Sequence, residues 1–290
     1  MQVPAQFEYE RATSVAHAVD LLVKYNGAGR VIAGGHSLIP MMKLRLARPE
    51  VLIDINEVGE LAGIVRDGDE LRIGALVRHN ELLDSAEAAQ LFPILVDAER
   101  VIADPIVRNR GTVGGSLCQA DPSEDLSAAF SALRADAVIQ GPQIRRTVPI
   151  RDFFVGPYET VVGPDELLVE LRVPVRPGSG SAFVKVSRRA GDWAVGAVGA
   201  AVWLAGDVIT EVGIGLSALG AQNFVAVEAE DFLRGRVVSA EAFAEAGRIA
   251  AEHCDPPVDQ RGPADYKRHL AATLVARSLT LASHRAGREV

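Results

Sequence analysis

Two Gly-Gly pairs, each beside a residue that carries a hydroxyl group, are the part of this sequence whose chemistry is clearest. The first pair, at positions 34–35, lies in the segment VIAGGHSLIP at 31–40, and the second, at 114–115, lies in TVGGSL at 112–117. Glycine has no Cβ and tolerates positive φ, so consecutive N–H groups of such a loop can converge on an anion. A single Gly-Gly pair is also ordinary turn chemistry. Two loops of the same design predict a diphosphate that is held from both sides.

Other nucleotide-binding and catalytic patterns do not fit the sequence. Residues 27–29 (GAG) begin like a dinucleotide fingerprint, but the sixth position is Ile32, and the segment follows a helical pattern instead of a strand. There is no Walker loop and no serine nucleophile motif, and the six histidines are scattered without metal-ligand spacing. We therefore predict no catalytic residue and no metal site in this chain. Its chemistry would belong to a bound redox cofactor.

Composition narrows the class of protein further. The chain has 290 residues, 48% of them hydrophobic, which is enough for more than one domain. A net charge of −8 without a basic stripe argues against nucleic acid as a partner. No apolar run reaches the roughly 18 residues of a membrane span, and no secretory signal pattern is present, so we expect no transmembrane segment and a cytoplasmic location. Of the two cysteines, Cys118 follows the second glycine pair, either as a small buried residue or as a thiol near a redox centre.

The pattern of apolar residues predicts an α/β half followed by an α+β half, with a linker composition and a domain boundary at residues 174–180. A helix capped by Thr13 or Ser14 is predicted to run to Tyr25, and a short strand at 30–33 delivers the first glycine pair. Further predicted helices lie at 41–46, 79–90, 91–102, 125–133, 240–253 and 264–283. Further predicted strands lie at 51–55, 71–75, 137–139, 145–148, 167–173, 182–186, 194–205 and 208–218.

Three segments resemble a known family. Residues 33–40 (AGGHSLIP) with 43–49 (KLRLARP), and 110–116 (RGTVGGS) with 120–122 (ADP) and Asp125, are similar to the two FAD loops of the medium subunit of molybdenum hydroxylases. Residues 187–194 (SRRAGDWA) are similar to a third signature of that family. The resemblance covers essentially the whole chain and is closest to the carbon monoxide dehydrogenase branch. The first two motifs together are specific, whereas the third alone is weak.

The resemblance implies an α+β fold: an FAD-binding domain of two α/β subdomains, of the type found in vanillyl-alcohol oxidase, and a C-terminal domain with a small antiparallel sheet and helices. We place the subdomains at 1–57 and 58–176 and the C-terminal domain at 177–290. The resemblance also implies FAD as cofactor, a large molybdopterin subunit, a small subunit with two [2Fe–2S] clusters, and a dimer of heterotrimers. Electrons would pass from the clusters through FAD to an external acceptor.

Carried over residue by residue, the resemblance implies a cofactor site in which the two glycine loops bind the diphosphate. The loop residues are Ala33, Gly34, Gly35, His36, Ser37, Thr112, Gly114, Gly115 and Ser116. Asp125 would accept hydrogen bonds from a sugar or ribityl hydroxyl, or else be an ordinary carboxylate at a helix N-terminus. Lys185 would neutralise phosphate or contact the flavin, or else be an exposed strand lysine. Leu168 would pack on the cofactor, or else belong to the core.

The chain departs from the family pattern at two of these positions. Trp193 stands where relatives often have Tyr; its indole can cover the flavin ring but offers an N–H in place of a hydroxyl, and packing in the core is the alternative. Ser116 stands where relatives often have Asn, so one side-chain amide contact would be missing.

Two other functions stay open at this point. The first is a self-sufficient flavin oxidase of the same fold, which would need its own base beside the flavin. The second is a scaffold that keeps an empty nucleotide cleft, and the intact glycine pairs argue against it.

Overall fold

The computed structural model describes residues 3–289, so residues 1–2 and 290 of the predicted domains lie outside the described part. The first unit is a parallel three-stranded sheet in the order β1-β3-β2. Its elements are β1 (Glu8–Arg11), α1 (Val15–Tyr25), β2 (Gly29–Ile32), α2 (Leu38–Lys43) and β3 (Val51–Asp54). This unit carries the first glycine pair directly after β2, as predicted. Helix α2 begins earlier than the predicted turn at 41–46, and β1 was not predicted.

Local sequence explains where α1 begins and ends. The side chain of Ser14 accepts a hydrogen bond from the N–H of His17, which satisfies one of the unpaired donors of the first turn. Asn26 ends the helix in the left-handed region, at φ 39°, and its N–H bonds the carbonyl groups of the last turn. The buried face of α1 packs on the first sheet, and β2 then leads to the first glycine pair.

The second unit is an antiparallel five-stranded sheet in the order β4-β5-β10-β6-β7. Its strands are β4 (Ile64–Asp67), β5 (Glu70–Gly74), β6 (Asp136–Gln140), β7 (Arg145–Pro149) and β10 (Leu167–Pro174). The helices of this unit are α3 (His79–Leu83), α4 (Ala86–Leu91), α5 (Pro93–Val101), α6 (Pro105–Arg108), α7 (Val113–Gln119) and α8 (Asp125–Leu133). A two-stranded sheet of β8 (Phe154–Gly156) and β9 (Glu159–Thr160) completes it. Strands β4, β8 and β9 were not predicted.

The C-terminal unit is an antiparallel three-stranded sheet with three helices. The strands are β11 (Ser179–Ser187), β12 (Ala194–Ala205) and β13 (Val208–Ser217), and the helices are α9 (Val227–Leu233), α10 (Ala240–His253) and α11 (Ala264–Arg285). The predicted hairpin is confirmed, with Gly206 at φ +62° between β12 and β13. The linker is shorter than predicted, because β10 continues to Pro174 and β11 begins at Ser179. Helix α9 was not predicted.

The C-terminal sheet packs closely on α8. A Cβ on Gly213 would lie 1.9 Å from the carbonyl oxygen of Ala132, and a Cβ on Gly215 would lie 1.9 Å from that of Ala128. Both positions therefore need glycine, because the backbones of β13 and α8 touch. This contact fixes β11 and β12 beside α5 and α8, where the predicted site lies. None of the helices in residues 3–289 combines the length and the apolar character needed to cross a membrane.

A buried carboxylate joins the second unit to the C-terminal unit. Glu230, on α9, is 2% exposed. Its Oε1 accepts hydrogen bonds from Arg151, at 2.7 Å, and from the N–H of Ile214, also at 2.7 Å. Its Oε2 accepts from Arg134, at 3.1 Å, and from Arg151, at 2.8 Å. Burial and the charge of Arg151 lower the pKa of Arg134, and the charge of Glu230 opposes that effect.

We predict that Glu230→Gln lowers the free energy of unfolding by about 3 kcal/mol or more, because it leaves the guanidinium group of Arg151 without its anion and removes one of the two carboxylates beside Arg134. Chemical denaturation of the full chain measures the change. Glu245→Gln is the matched control: Glu245 pairs with Arg248 on the exposed surface of α10, 2.6 Å apart, and its loss should cost less than about 1 kcal/mol. Equal midpoints for the two variants would contradict this role for Glu230.

Candidate cofactor site

The two glycine segments meet. A Cβ on Gly34 would lie 2.2 Å from the carbonyl oxygen of Arg110 and 2.8 Å from the Cα of Gly111. Such distances are too short for any side chain, so residue 34 must be glycine for the first loop to touch the segment before α7. The first glycine pair therefore lies beside the segment that leads into the second, and a single site formed by both pairs stays a prediction.

The first loop has the properties of an anion-binding loop. Gly35 has φ +80°, and a Cβ there would also lie 2.7 Å from the side chain of Ile39. His36 and Ser37 are exposed, and Ala33 lies half-buried at the start of the loop. Within residues 3–289, the backbone N–H groups of residues 34–37 donate to no protein acceptor. These donors are available to a ligand, which is the requirement that a diphosphate places on such a loop.

The prediction of a loop at the second glycine pair is wrong, because the pair lies in a helix. Gly114 and Gly115 form the first turn of α7, capped by the side chain of Thr112. Their N–H groups are already used: that of Gly114 bonds the carbonyl of Ala75 at 2.9 Å, and that of Gly115 bonds Oγ1 of Thr112 at 3.1 Å. Glycine is needed here for space. A Cβ on Gly114 would lie 2.6 Å from the Cβ of Ala75, and one on Gly115 would lie 2.6 Å from Oγ1 of Thr112.

Two residues that the sequence did not single out join the glycine segments. Asn56 donates to the carbonyl of Ala33 at 2.7 Å, and Arg78 donates to Oδ1 of Asn56 at 2.7 Å. Arg78 also donates to the carbonyl of Arg110. The hydrogen bonds that connect Ala33, Asn56, Arg78 and Arg110 therefore fix the distance between the first glycine loop and the segment before α7. An arginine directly after the buried run at 75–77 was the only signal for it.

Asp125 and Lys185 form a buried ion pair, 5% and 3% exposed at their side chains, with Oδ2 of Asp125 2.6 Å from Nζ of Lys185. Lys185 also donates to the carbonyl of Val101 at 3.2 Å. Burial raises the pKa of Asp125 to about 7, against the charge of Lys185, which lowers it. Lys185 is thus neither an exposed strand lysine nor free to neutralise a phosphate. Oδ1 of Asp125 is buried and has no hydrogen-bond partner among the described residues; its role as acceptor of a ligand hydroxyl stays a prediction.

Leu168 and Trp193 have opposite surroundings. Leu168, on β10, is 3% exposed and belongs to the core of the second unit, as the alternative interpretation expected. Trp193 is 47% exposed, so packing in the core is wrong for this residue. It follows a turn in which Gly191 has φ +74°, and a Cβ there would lie 2.7 Å from the carbonyl of Ala103. The turn that carries the indole is therefore packed on the loop between α5 and α6.

A second buried polar group lies behind Ser116. Nδ1 of His79 is 3.0 Å from the carboxylate of Glu99, and Nε2 of His79 is 3.2 Å from Oγ of Ser116. His79 and Glu99 are 2% and 0% exposed. A carboxylate on the apolar face of α5 was the signal for this pair, since a buried charge requires a partner. Cys118, on the same helix as Ser116, has its pKa raised to about 12 by burial, so its thiol stays protonated.

Comparison with known proteins places the chain in a family. The family described as "FAD binding domain in molybdopterin dehydrogenase" matches residues 5–176, and the family described as "CO dehydrogenase flavoprotein C-terminal domain" matches residues 181–282. The chain belongs to the FAD-binding subunits of molybdopterin dehydrogenases. It is an oxidoreductase subunit of the type found in carbon monoxide dehydrogenase and xanthine dehydrogenase complexes, with FAD as its cofactor.

Individual relatives extend over the full length. The carbon monoxide dehydrogenase medium chain of Hydrogenophaga pseudoflava is 40% identical over 281 residues, 97% of this chain and 98% of that one. The 6-hydroxypseudooxynicotine dehydrogenase complex subunit alpha of Paenarthrobacter nicotinovorans is 39% identical over 290 residues, 98% of this chain and 96% of that one. A solved structure of the Hydrogenophaga pseudoflava carbon monoxide dehydrogenase, which lacks the Mo-pyranopterin moiety, superimposes with a TM-score of 0.94 at 41% identity and covers 98% of this chain and 99% of that one.

The cleft fits FAD on three observations of this chain. The N–H groups of residues 34–37 are free for a diphosphate, glycine is required where the two sides meet, and one oxygen of Asp125 is buried without a partner. An unpaired buried carboxylate oxygen is costly unless a ligand satisfies it.

We predict that Gly34→Ala yields a folded chain without FAD, because a Cβ would meet the carbonyl of Arg110 and separate the two sides of the cleft. Gly59→Ala is the matched control, since a Cβ there has no atom within 4 Å. Flavin absorbance per chain measures occupancy, and circular dichroism checks the fold. Full FAD occupancy in Gly34→Ala would remove this contact from the site.

We also predict that FAD shields Trp193. In a Trp203→Phe background only Trp193 emits, and its exposed indole should be quenched by acrylamide in the apoprotein. Bound FAD should lower both the emission and the remaining access of acrylamide, because the flavin ring would cover the indole. Trp203, which is 6% exposed, provides the control in a Trp193→Phe background and should resist acrylamide in both states. Unchanged access to Trp193 would place the flavin elsewhere.

Proposed function

We propose that this chain is the electron-transfer subunit of a carbon monoxide dehydrogenase-like molybdenum hydroxylase. Its bound FAD would pass electrons from the [2Fe–2S] clusters of a small subunit to an external acceptor. The observation that carries the proposal is the contact of Gly34 with the segment before α7, beside which the N–H groups of residues 34–37 are free. The large molybdopterin subunit would oxidise the substrate. A dimer of heterotrimers in the cytoplasm is the assembly we propose.

FAD, when bound, supplies one- and two-electron redox chemistry at its flavin ring. The residues of this chain bind and orient it. We assign the diphosphate to the N–H groups of Gly34, Gly35, His36 and Ser37, and to the side of α7 that carries Gly115 and Ser116. Oδ1 of Asp125 would accept a ribityl or ribose hydroxyl, while the charge of Lys185 opposes the effect of burial on that carboxylate. Trp193 would exclude water from one face of the flavin.

The relatives support leaving substrate choice to the large subunit. A medium chain of a carbon monoxide dehydrogenase and a subunit of a 6-hydroxypseudooxynicotine dehydrogenase are 40% and 39% identical to this chain. Two complexes named for such different compounds therefore have subunits that are equally similar to it. A gas with two atoms and an aromatic alkaloid cannot share a recognition pocket, so selection would reside outside this chain.

We predict that the isolated chain, loaded with FAD, accepts electrons from dithionite but shows no flavin bleaching under carbon monoxide. Addition of the large and small subunits of the same complex should give a stoichiometric complex in which the substrate bleaches the flavin. The control complex contains Gly34→Ala: its clusters should be reduced by the same substrate while no flavin signal appears. Substrate-driven bleaching by the isolated chain would overturn the proposal in favour of a self-sufficient oxidase.

The choice of substrate is tested in the same complex. Carbon monoxide is the first probe, and an N-heterocycle and an aldehyde are the alternatives. Bleaching by either alternative and not by carbon monoxide would keep the electron-transfer role and overturn the carbon monoxide dehydrogenase-like assignment.

A further inference from the structure

Glu99, His79 and Ser116 form a hydrogen-bonded line that leads from the protein interior to the cleft. Glu99 is fully buried, His79 is 2% exposed, and Ser116 is half-buried in the first turn of α7, next to the exposed Gly115. The ring of His79 also lies against the segment that contacts the first loop: a Cβ on Gly111 would be 2.6 Å from Cδ2 of His79. The line therefore ends where the two sides of the cleft meet.

The direction of the last hydrogen bond depends on the proton count of His79. Nδ1 faces Glu99 and donates to it when Glu99 is ionised. Burial raises the pKa of Glu99, and the charge of His79 opposes that effect. When the ring is neutral, Nε2 carries a lone pair, so the hydroxyl of Ser116 must donate inward to it. When the ring is protonated, Nε2–H donates to Oγ of Ser116, and the hydroxyl hydrogen is released to point outward. A serine hydroxyl has only one hydrogen, so these two states exclude each other.

A phosphate oxygen distinguishes the two states of Ser116, because at neutral pH it is ionised and can accept a hydrogen bond but cannot donate one. We propose that protonation of His79 turns the hydroxyl of Ser116 outward as a donor to the diphosphate of the bound cofactor, so that diphosphate binding takes up one proton wherever His79 is neutral in the apoprotein. The inference rests on the proposed cofactor site. It assigns to Ser116 a donor role that compensates for the backbone N–H groups of α7, which are already paired.

The surroundings of His79 favour the protonated ring. Burial lowers its pKa, but the charge of Glu99 and the hydrogen bond to it outweigh that effect and raise the pKa above the ordinary value. Glu124, at the start of α8, adds to the increase, and Arg108, on α6, opposes it. A raised pKa means that the proton is present at low pH and is lost as pH rises through the new value. The affinity for a diphosphate should therefore fall as pH rises.

The test measures FAD affinity of the full-length apoprotein from pH 6 to pH 10, by quenching of flavin fluorescence. Above the pKa of His79, wild-type affinity should fall by up to about tenfold per pH unit, the limit for one linked proton. Riboflavin, which has no phosphate, should show no such fall. Calorimetry above the pKa of His79, in two buffers of different ionisation enthalpy, should show proton uptake with FAD and none with riboflavin, without any substitution.

Variants separate the relay from a purely structural role. Ser116→Ala should bind FAD more weakly at low pH and lose the pH dependence, and Ser116→Thr should restore it. Glu99→Gln should move the fall in affinity to lower pH, because His79 loses the charge that stabilises its proton. His253→Gln, an exposed histidine on α10 that bonds only the carbonyl of Ile249, is the control and should match wild type.

The outcomes distinguish this inference from the proposed function. A wild-type chain that binds FAD equally at every pH, with no proton uptake, overturns the relay alone. An equal fall for riboflavin also overturns it, because the effect would not involve phosphate. A wild-type chain that binds no FAD at any pH overturns the proposed cofactor site and the relay together.

Discussion

The close approach of Gly34 to Arg110 is the constraint on which the rest of the site depends. Residue 34 belongs to the small parallel sheet and Arg110 to the unit built on the five-stranded sheet, so this contact joins two separately built layers. The side chains of Asn56 and Arg78 stabilise the same junction, because they donate hydrogen bonds to the carbonyl groups of Ala33 and Arg110, respectively. The N–H groups of residues 34–37 are free in the loop that this junction positions, so the proposed anion-binding geometry depends on the packing between layers as well as on the loop.

Behind the junction lies a set of buried charges that is arranged in pairs. Asp125 faces Lys185 and His79 faces Glu99, while Glu124 accepts hydrogen bonds from the N–H groups of Leu126 and Ser127. Burial of single charges would be costly, but buried charges that face an opposite charge or accept hydrogen bonds can be retained. The Asp125–Lys185 pair also crosses from α8 to β11. It therefore fixes the C-terminal unit against the site, as Glu230 does at the other end of α8 with Arg134.

Sequence patterns identified most of the elements that local chemistry determines and missed those that depend on pairing. Helix α1, with Ser14 and Asn26 at its ends, and the hairpin at Gly206 follow from caps and turns. Strands β1 and β4 were missed because short, exposed strands with charged residues have no apolar alternation. The second glycine pair was taken for a loop because Gly-Gly is rare in helices; it is helical here because Ala75 leaves no room for a Cβ. Asn56, Arg78 and His79 were missed because their partners lie far away in sequence.

The division of labour in the chain follows from these constraints. Glycine is fixed at positions 34, 114 and 115 by backbone contacts or by a cap, and these contacts do not depend on what a partner subunit oxidises. Trp193, in contrast, is exposed on a turn that is anchored only through Gly191, so its side chain can vary without disturbing the junction. A diphosphate site set by backbone contacts, together with an exposed residue over the flavin ring, would let one fold serve complexes with different substrates. The departure from tyrosine at position 193 is therefore the kind of change that the fold tolerates, whereas a side chain at position 34 is not.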